Sequence, residues 1–381
     1  MTGDELILTN ARIVTPEAVF AGTVRVADGL IAGIDDRPSR APGALDLEGD
    51  LLLPGLVEVH TDNLETMFRP RPGVRWPAAA ALLAHDAQMA AAGVTTVCDA
   101  VCVGFYGSKA ERLELLGASV ETMRAGRSAG RLRIEHLLHL RCEVSDPAVI
   151  ELFEPLRDDP ALRVVSFMDH TPGQRQWRDV ERYRRFNRGK RGYSDEHLTR
   201  LIEERQRAQL THAEANRRRL LELIAGRPLA LASHDDTTAE HVAEAAADGL
   251  TVSEFPTTVE AALAARGHGL AIVMGAPNVV LGGSHSGNVS ALELAGVGLL
   301  DALSSDYMPA SLLHAAFLLT ERLDLPLPEA LAKVTLNPAR MIGLADRGAI
   351  RPGLRADLVR VRADDGLPSA LAVWRAGERI A

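Results

Sequence analysis

The chain has 381 residues, with 42 Lys and Arg against 51 Asp and Glu, and its formal charge of −9 argues against a general nucleic-acid binder. Its 46% hydrophobic and 24% charged residues exclude wholesale disorder, and no apolar run approaches the ~18 residues of a membrane span. The acidic start MTGDELILTN lacks a signal-peptide layout, and three cysteines cannot build a disulfide framework, so a soluble cytoplasmic protein is expected.

The first fifty residues read as short strands. ELILTNARIV and TVRVADGLIAGI alternate in polarity around the hairpin dipeptide Asp28-Gly29. The chain ends in a similar way, with ADLVRVRADDG and ALAVWRAGERI. These stretches predict a composite β-sandwich domain from residues 1–50 and 346–381.

Residues 51–345 alternate strands with helices. LLPGLVEVHTDN is followed by a helix over PAAAALLAHDAQMAAAG and then by VTTVCDAV. IEHLLHLRCE, RVVSFMDHTPG, PLALASHDD, LTVSEFPTT, NVVLGGSH and LLDALSSDYMP complete eight strand candidates. Helical patterns such as TAEHVAEAAADG lie between several of them. The fold class is therefore α/β, a (β/α)8 TIM-like barrel. A segment at 172–207 breaks the rhythm. It holds eleven basic residues against six acidic ones, a local positive field on a strand-end loop of an acidic chain.

Histidine and acidic residues collect at the strand ends. His60 and Asp62 stand two apart on the first strand, so they share a face. Glu143 ends the third, His170 the fourth, His234 the fifth, Glu254 the sixth, His285 the seventh and Asp306 the eighth. A barrel aims these ends at one mouth, and imidazole with carboxylate is the donor set of Zn²⁺ and similar ions. A lone strand-end histidine is usually a packed residue; the recurrence is the signal. His85, His241 and His314 sit on helical patterns and read as packing or surface residues, and Cys98, Cys102 and Cys142 as core filler.

The PG-x-VEVHTDN opening, the terminal β-domain and the strand-end His, His and Asp resemble the amidohydrolase superfamily of metal-dependent hydrolases. HTDNLETMFRPRPGVRWP, AHDAQMAAAGVTTVCDAV, LHLRCE, FMDHTPGQRQW and ASHDDTT are similar to one branch. Its members are the α-D-ribose 1-methylphosphonate 5-triphosphate diphosphatases of the carbon–phosphorus lyase pathway of phosphonate metabolism. The resemblance implies a divalent metal cofactor, zinc by type, with one or two ions per chain. His60, Asp62, Glu143, His170, His234 and Asp306 would be its ligands. The superfamily often has His-x-His where this chain has His60-Thr61-Asp62. Many members bridge two metals with a carboxylated lysine, but Lys109, Lys190 and Lys333 lie at no barrel strand end, which leaves Glu143 as the bridging substitute.

Asp306 has two readings, a cap for the helix after the eighth strand or a metal ligand that also accepts the proton of the attacking water. Arg69, Arg71, Arg175, Lys190 and Arg191 are either solvated or grip phosphate, and His285 is either a substrate contact or structural. The implied reaction is hydrolysis of the triphosphate ester to the 5-phosphate and diphosphate. Its small-molecule substrate leaves no role for nucleic acid or membrane, and a homo-oligomer is compatible with it. The rivals are another reaction of the superfamily (cyclic amide hydrolysis, N-deacetylation or deamination) and a non-catalytic barrel scaffold. A neutral substrate would not require the basic segment.

Overall fold

A computed structural model describes residues 5–71, 73–104, 109–284, 287–364 and 366–381, with the backbone alone at 109–112 and 190–191. In chain order come β1 (Leu6–Val14), β2 (Val19–Ala27), β3 (Leu30–Asp35), β4 (Leu45–Asp46) and β5 (Leu51–Pro54). The barrel strands follow: β6 (Leu56–Thr61), β7 (Val94–Val103), β8 (Glu135–Glu143), β9 (Leu162–Met168), β10 (Ala230–His234), β11 (Val252–Glu254), β12 (Ala271–Gly275) and β13 (Ala302–Ser304). The chain closes with β14 (Leu358–Asp364), β15 (Leu367–Arg375) and β16 (Glu378–Arg379).

The terminal strands form one sheet in the order β16-β15-β14-β5-β1-β2-β3, with β4 paired to β1. β5 is the hinge of this arrangement, because it runs parallel to β1 and antiparallel to β14 and so bonds the two ends of the chain together. It lies just beyond the expected boundary at residue 50, and the barrel begins at Leu56. Leu8, Ile13, Val24, Leu52, Leu358 and Trp374 fill a buried apolar cluster that belongs to this domain. Part of β1 alternates, with Ala11 and Ile13 buried and Asn10 and Arg12 exposed, as read from ELILTNARIV.

The eight strands β6 to β13 are parallel and neighbour one another in sequence order. A parallel bridge between Thr61 and Asp306 joins the last strand to the first. Backbone bonds from Asp62 N to the Asp306 carbonyl (3.1 Å) and from Asp306 N to the His60 carbonyl (3.2 Å) complete the closure. Small and branched residues, among them Val57, Cys98, Val164, Ala232, Val252 and Ala302, pack inside the barrel. A larger apolar layer separates the strands from the outer helices.

The seventh strand differs from the expected one. NVVLGGSH has β-branched residues, but Ala276–Leu281 is a helix with Pro277 in its first turn and Gly282 closing it at φ 77°. Proline is favoured there because the first N–H groups of a helix need no intrahelical partner. The strand is the preceding AIVMG, β12. β12 ends at Gly275, ten positions before His285, which lies outside the described residues.

The basic segment folds into two helices. Val180–Arg191 is capped by the Asp179 carboxylate, which accepts from the Arg182 amide, and ends at Gly192 with φ 65°. Asp195–Ile224 is capped by Ser194 in the same way. Tyr183, Leu198 and Ile202 form a small buried cluster between them, and the Tyr183 hydroxyl accepts from Arg205 at 2.6 Å. No described helix is long and apolar enough to cross a membrane.

Candidate active site

Glu254, at the end of β11, is the centre of the barrel mouth. Its carboxylate lies 2.6 Å from Nδ1 of His60 and 2.6 Å from Nδ1 of His234, one oxygen for each ring. The Ser166 hydroxyl donates to it at 2.9 Å, and Nε2 of His139 lies 2.5 Å from that hydroxyl. Burial opposes charge on Glu254, but His60 and His139 outweigh it and hold its pKa well below the usual carboxylate range. An ionised carboxylate only accepts, so both Nδ1 atoms carry hydrogen and each Nε2 is the ring nitrogen left to meet a further ligand.

Glu143 does the same for His170. Its Oε2 lies 2.8 Å from the ring Nδ1, and its Oε1 accepts from the Ser145 hydroxyl (2.8 Å) and the His170 amide (3.1 Å). Burial works against its ionisation, yet these bonds hold its pKa down. Glu143, expected to bridge two metals, thus has its oxygens shared between His170 and Ser145. Asp169, the neighbour of His170, is tied instead to the Thr171 amide and to Gln209.

The Nε2 atoms of His170 and His234 meet Asp235. Its Oδ2 stands 3.7 and 3.4 Å from them, and the ligand atoms of the three residues all lie within 4.8 Å of one another. Asp235 is missing from the sequence-derived set because a regular strand points it away from His234. Its φ of +57° turns it back, and Phe255 (φ 57°) and Asp306 (φ 55°) share this left-handed backbone. Phe255 thereby packs its ring against both His60 and His234.

The cavity at the mouth measures about 240 Å³ and is lined by His60, His170, His234, Asp235, Asp306 and Arg141, among others. Burial and the nearby Asp62 charge push the Asp306 pKa up. Oδ1 of Asp62 and Oδ2 of Asp235 are enclosed with no hydrogen-bond partner among the described residues. An enclosed Asp235 oxygen without a donor, facing two imidazole nitrogens, belongs to the donor set that a divalent cation satisfies. The residues therefore fit a metal.

The basic residues divide. Arg175 is buried, and its guanidinium bonds the Ser233 hydroxyl (3.1 Å), the His234 carbonyl (3.0 Å) and the Asp236 carboxylate. It is thus locked beneath the end of β10 and is not free for phosphate, which corrects its assignment. Arg69 and Arg71 are exposed on the loop after Asn63–Phe68. Lys190 and Arg191 end the first insertion helix, and their side chains lie outside the described residues. Arg182 reaches Asn288 at 3.4 Å, a residue of the cavity wall. Arg141, unremarked in the sequence, faces the cavity because it alternates with Cys142 and shares a side of β8 with Glu143.

A second buried network lies beside the mouth. Asp99 bonds His85 Nε2 and His136 Nδ1, each at 2.7 Å. Asn63 contacts His85 Nδ1 at 2.9 Å, and Arg133 reaches Asp86 at 3.3 Å. His85 is therefore a network member rather than a packing or surface residue.

A protein of Escherichia coli K12 named alpha-D-ribose 1-methylphosphonate 5-triphosphate diphosphatase is 46% identical over 377 residues, covering 98% of this chain and 100% of that protein. The chain belongs to that diphosphatase branch of the amidohydrolase family. The Amidohydrolase family model itself matches residues 278–380. An imidazolonepropionase of Cereibacter sphaeroides is 34% identical over 185 residues, covering 45% of this chain and 42% of that protein. Among solved structures, the N-acetyl-D-glucosamine-6-phosphate deacetylase of Mycobacterium smegmatis aligns over 100% of both chains with TM-score 0.65 at 17% identity. The 5-methylcytosine deaminase of Klebsiella pneumoniae aligns over 99% of this chain and 98% of that one, with TM-score 0.65 and 17% identity. These two likenesses establish the shared barrel and small β-domain. This amidohydrolase is a hydrolase of phosphoanhydride bonds.

Proposed function

We propose that the protein hydrolyses α-D-ribose 1-methylphosphonate 5-triphosphate to the 5-phosphate and diphosphate, in the cytosolic breakdown of phosphonates. The end-to-end similarity to the E. coli diphosphatase carries this reading. His60, His170, His234, Asp62, Asp235 and Asp306 would hold the divalent cation. Zinc matches their nitrogen and carboxylate donors, and the set is large enough for one or two ions. When bound, such a cation supplies Lewis acidity, which makes water a better nucleophile near neutrality and offsets phosphoryl charge.

The chain's own groups do the rest. A water oxygen bonds to the α-phosphorus while the bond from that phosphorus to the α,β-bridging oxygen breaks, and its electron pair leaves on that oxygen with diphosphate. The Asp306 carboxylate accepts the proton of that water. Glu254 and Glu143 keep the three imidazoles aimed at the mouth through the reaction, so no reorientation precedes each turnover. Arg69, Arg71 and the insertion give a positive approach for a polyanion.

The test incubates metal-loaded protein with the ribose methylphosphonate triphosphate and follows ³¹P resonances. Diphosphate appearing beside an intact methylphosphonate is expected. Stepwise orthophosphate, or no turnover by protein of confirmed metal content, overturns the reading.

A further inference from the structure

The triphosphate reading, on which this inference rests, leaves a charge imbalance at the mouth. Asp235 and Asp306 line the cavity with the imidazoles, Asp62 adds its charge near Asp306, and a phosphoryl group carries negative charge of its own. Arg141 is the cationic side chain among the described residues of the cavity lining. Arg175 is consumed by Asp236, and Arg182 stands outside the wall, reaching it through Asn288.

Arg141 is held by the fold in a way that suits a ligand. Its backbone pairs in register with Cys102, next to last in the β7–β8 ladder, so the side chain rises from a strand and not from a loop. Its Nε is enclosed and has no hydrogen-bond partner among the described residues. A buried guanidinium donor without an acceptor is costly unless something supplies one. Burial opposes its charge, but Cys102, Asp62, Glu254 and Glu65 raise its pKa above the ordinary arginine value.

We propose that Arg141 is a catalytic residue that grips the non-bridging oxygens of the phosphoryl group under attack. A guanidinium presents parallel N–H donors matched to two phosphate oxygens. At this position it takes up the charge that builds on those oxygens as the anhydride bond breaks.

The experiment uses full-length, metal-loaded protein and two variants, Arg141→Met and Arg141→Lys. Arg141→Met is expected to lower kcat on the triphosphate about 100-fold or more, the scale of losing one transition-state donor, with metal content and Tm close to wild type. Arg141→Lys restores part of the loss, because a point charge replaces the fork. Titration of inorganic diphosphate into the same proteins is expected to show at least about 10-fold weaker binding in the Met variant, the size of one charge-assisted contact. A Met variant with kcat within about threefold of wild type and unchanged diphosphate affinity overturns the assignment. If wild-type protein cleaves no triphosphate, the functional reading fails, and the diphosphate titration still decides whether Arg141 binds phosphate.

Discussion

Glu254 stands 2.6 Å from Nδ1 of His60, and that contact decides which nitrogen of the ring faces the cavity. The same carboxylate does this for His234 with its other oxygen. Glutamine would keep one acceptor and put an N–H group opposite the second imidazole. Glu254→Gln is therefore expected to weaken metal affinity about 10- to 100-fold, read by chelator competition. Unchanged affinity would show that other contacts orient the rings.

Asp306 offers the proton acceptor. Asp306→Asn preserves its size and the backbone closure with Thr61 but removes the basic oxygen. A loss in kcat of about 10³-fold is expected, with a far smaller change in KM. Near-normal turnover would leave Asp306 with a capping role alone.

Arg175 and Asp236 form a buried pair, and removing one partner strands the other. Arg175→Met is expected to destabilise the fold by about 3–5 kcal/mol, measured by urea unfolding. Replacing both partners with apolar residues recovers much of that loss. A phosphate-binding Arg175 would instead raise KM and leave stability intact.

His136 gives stability a pH dependence. Burial opposes its charge, but Asp99 and Asp86 raise its pKa to about 9, whereas an unfolded histidine titrates near ~6.5. The folded state binds the extra proton, so this contribution is complete below the unfolded pKa and fades as pH rises through about 9. The urea midpoint of wild-type protein is expected to fall across that window. His136→Gln, which cannot titrate, should start lower and show a flatter profile; parallel profiles would remove His136 as the cause.

Much of this was legible in the sequence because a parallel barrel gathers strand ends in one place, so His60, His170, His234 and Asp306 announce themselves without knowledge of packing. The backbone hid the rest. Asp235 follows His234 directly and looks as though it faces away, until a positive φ turns it inward. Arg175 is an arginine among many in its segment, and composition does not distinguish a paired guanidinium from a free one. Glu254 was visible at a strand end, but its service to two imidazoles depends on the β10–β11 register that sets it beside His234. The β-branched NVVL outweighed the shorter AIVM, although Pro277 marked where a helix begins.

The bridge between Thr61 and Asp306 spans 245 positions of sequence. Contacts that distant are slow to form, because the chain must lose loop entropy before it gains them. The two ends of the barrel seam carry His60 on one side and Asp306 on the other. A chain still emerging from the ribosome thus holds its imidazoles long before it holds the seam. The site is complete only once the last barrel strand has docked on the first.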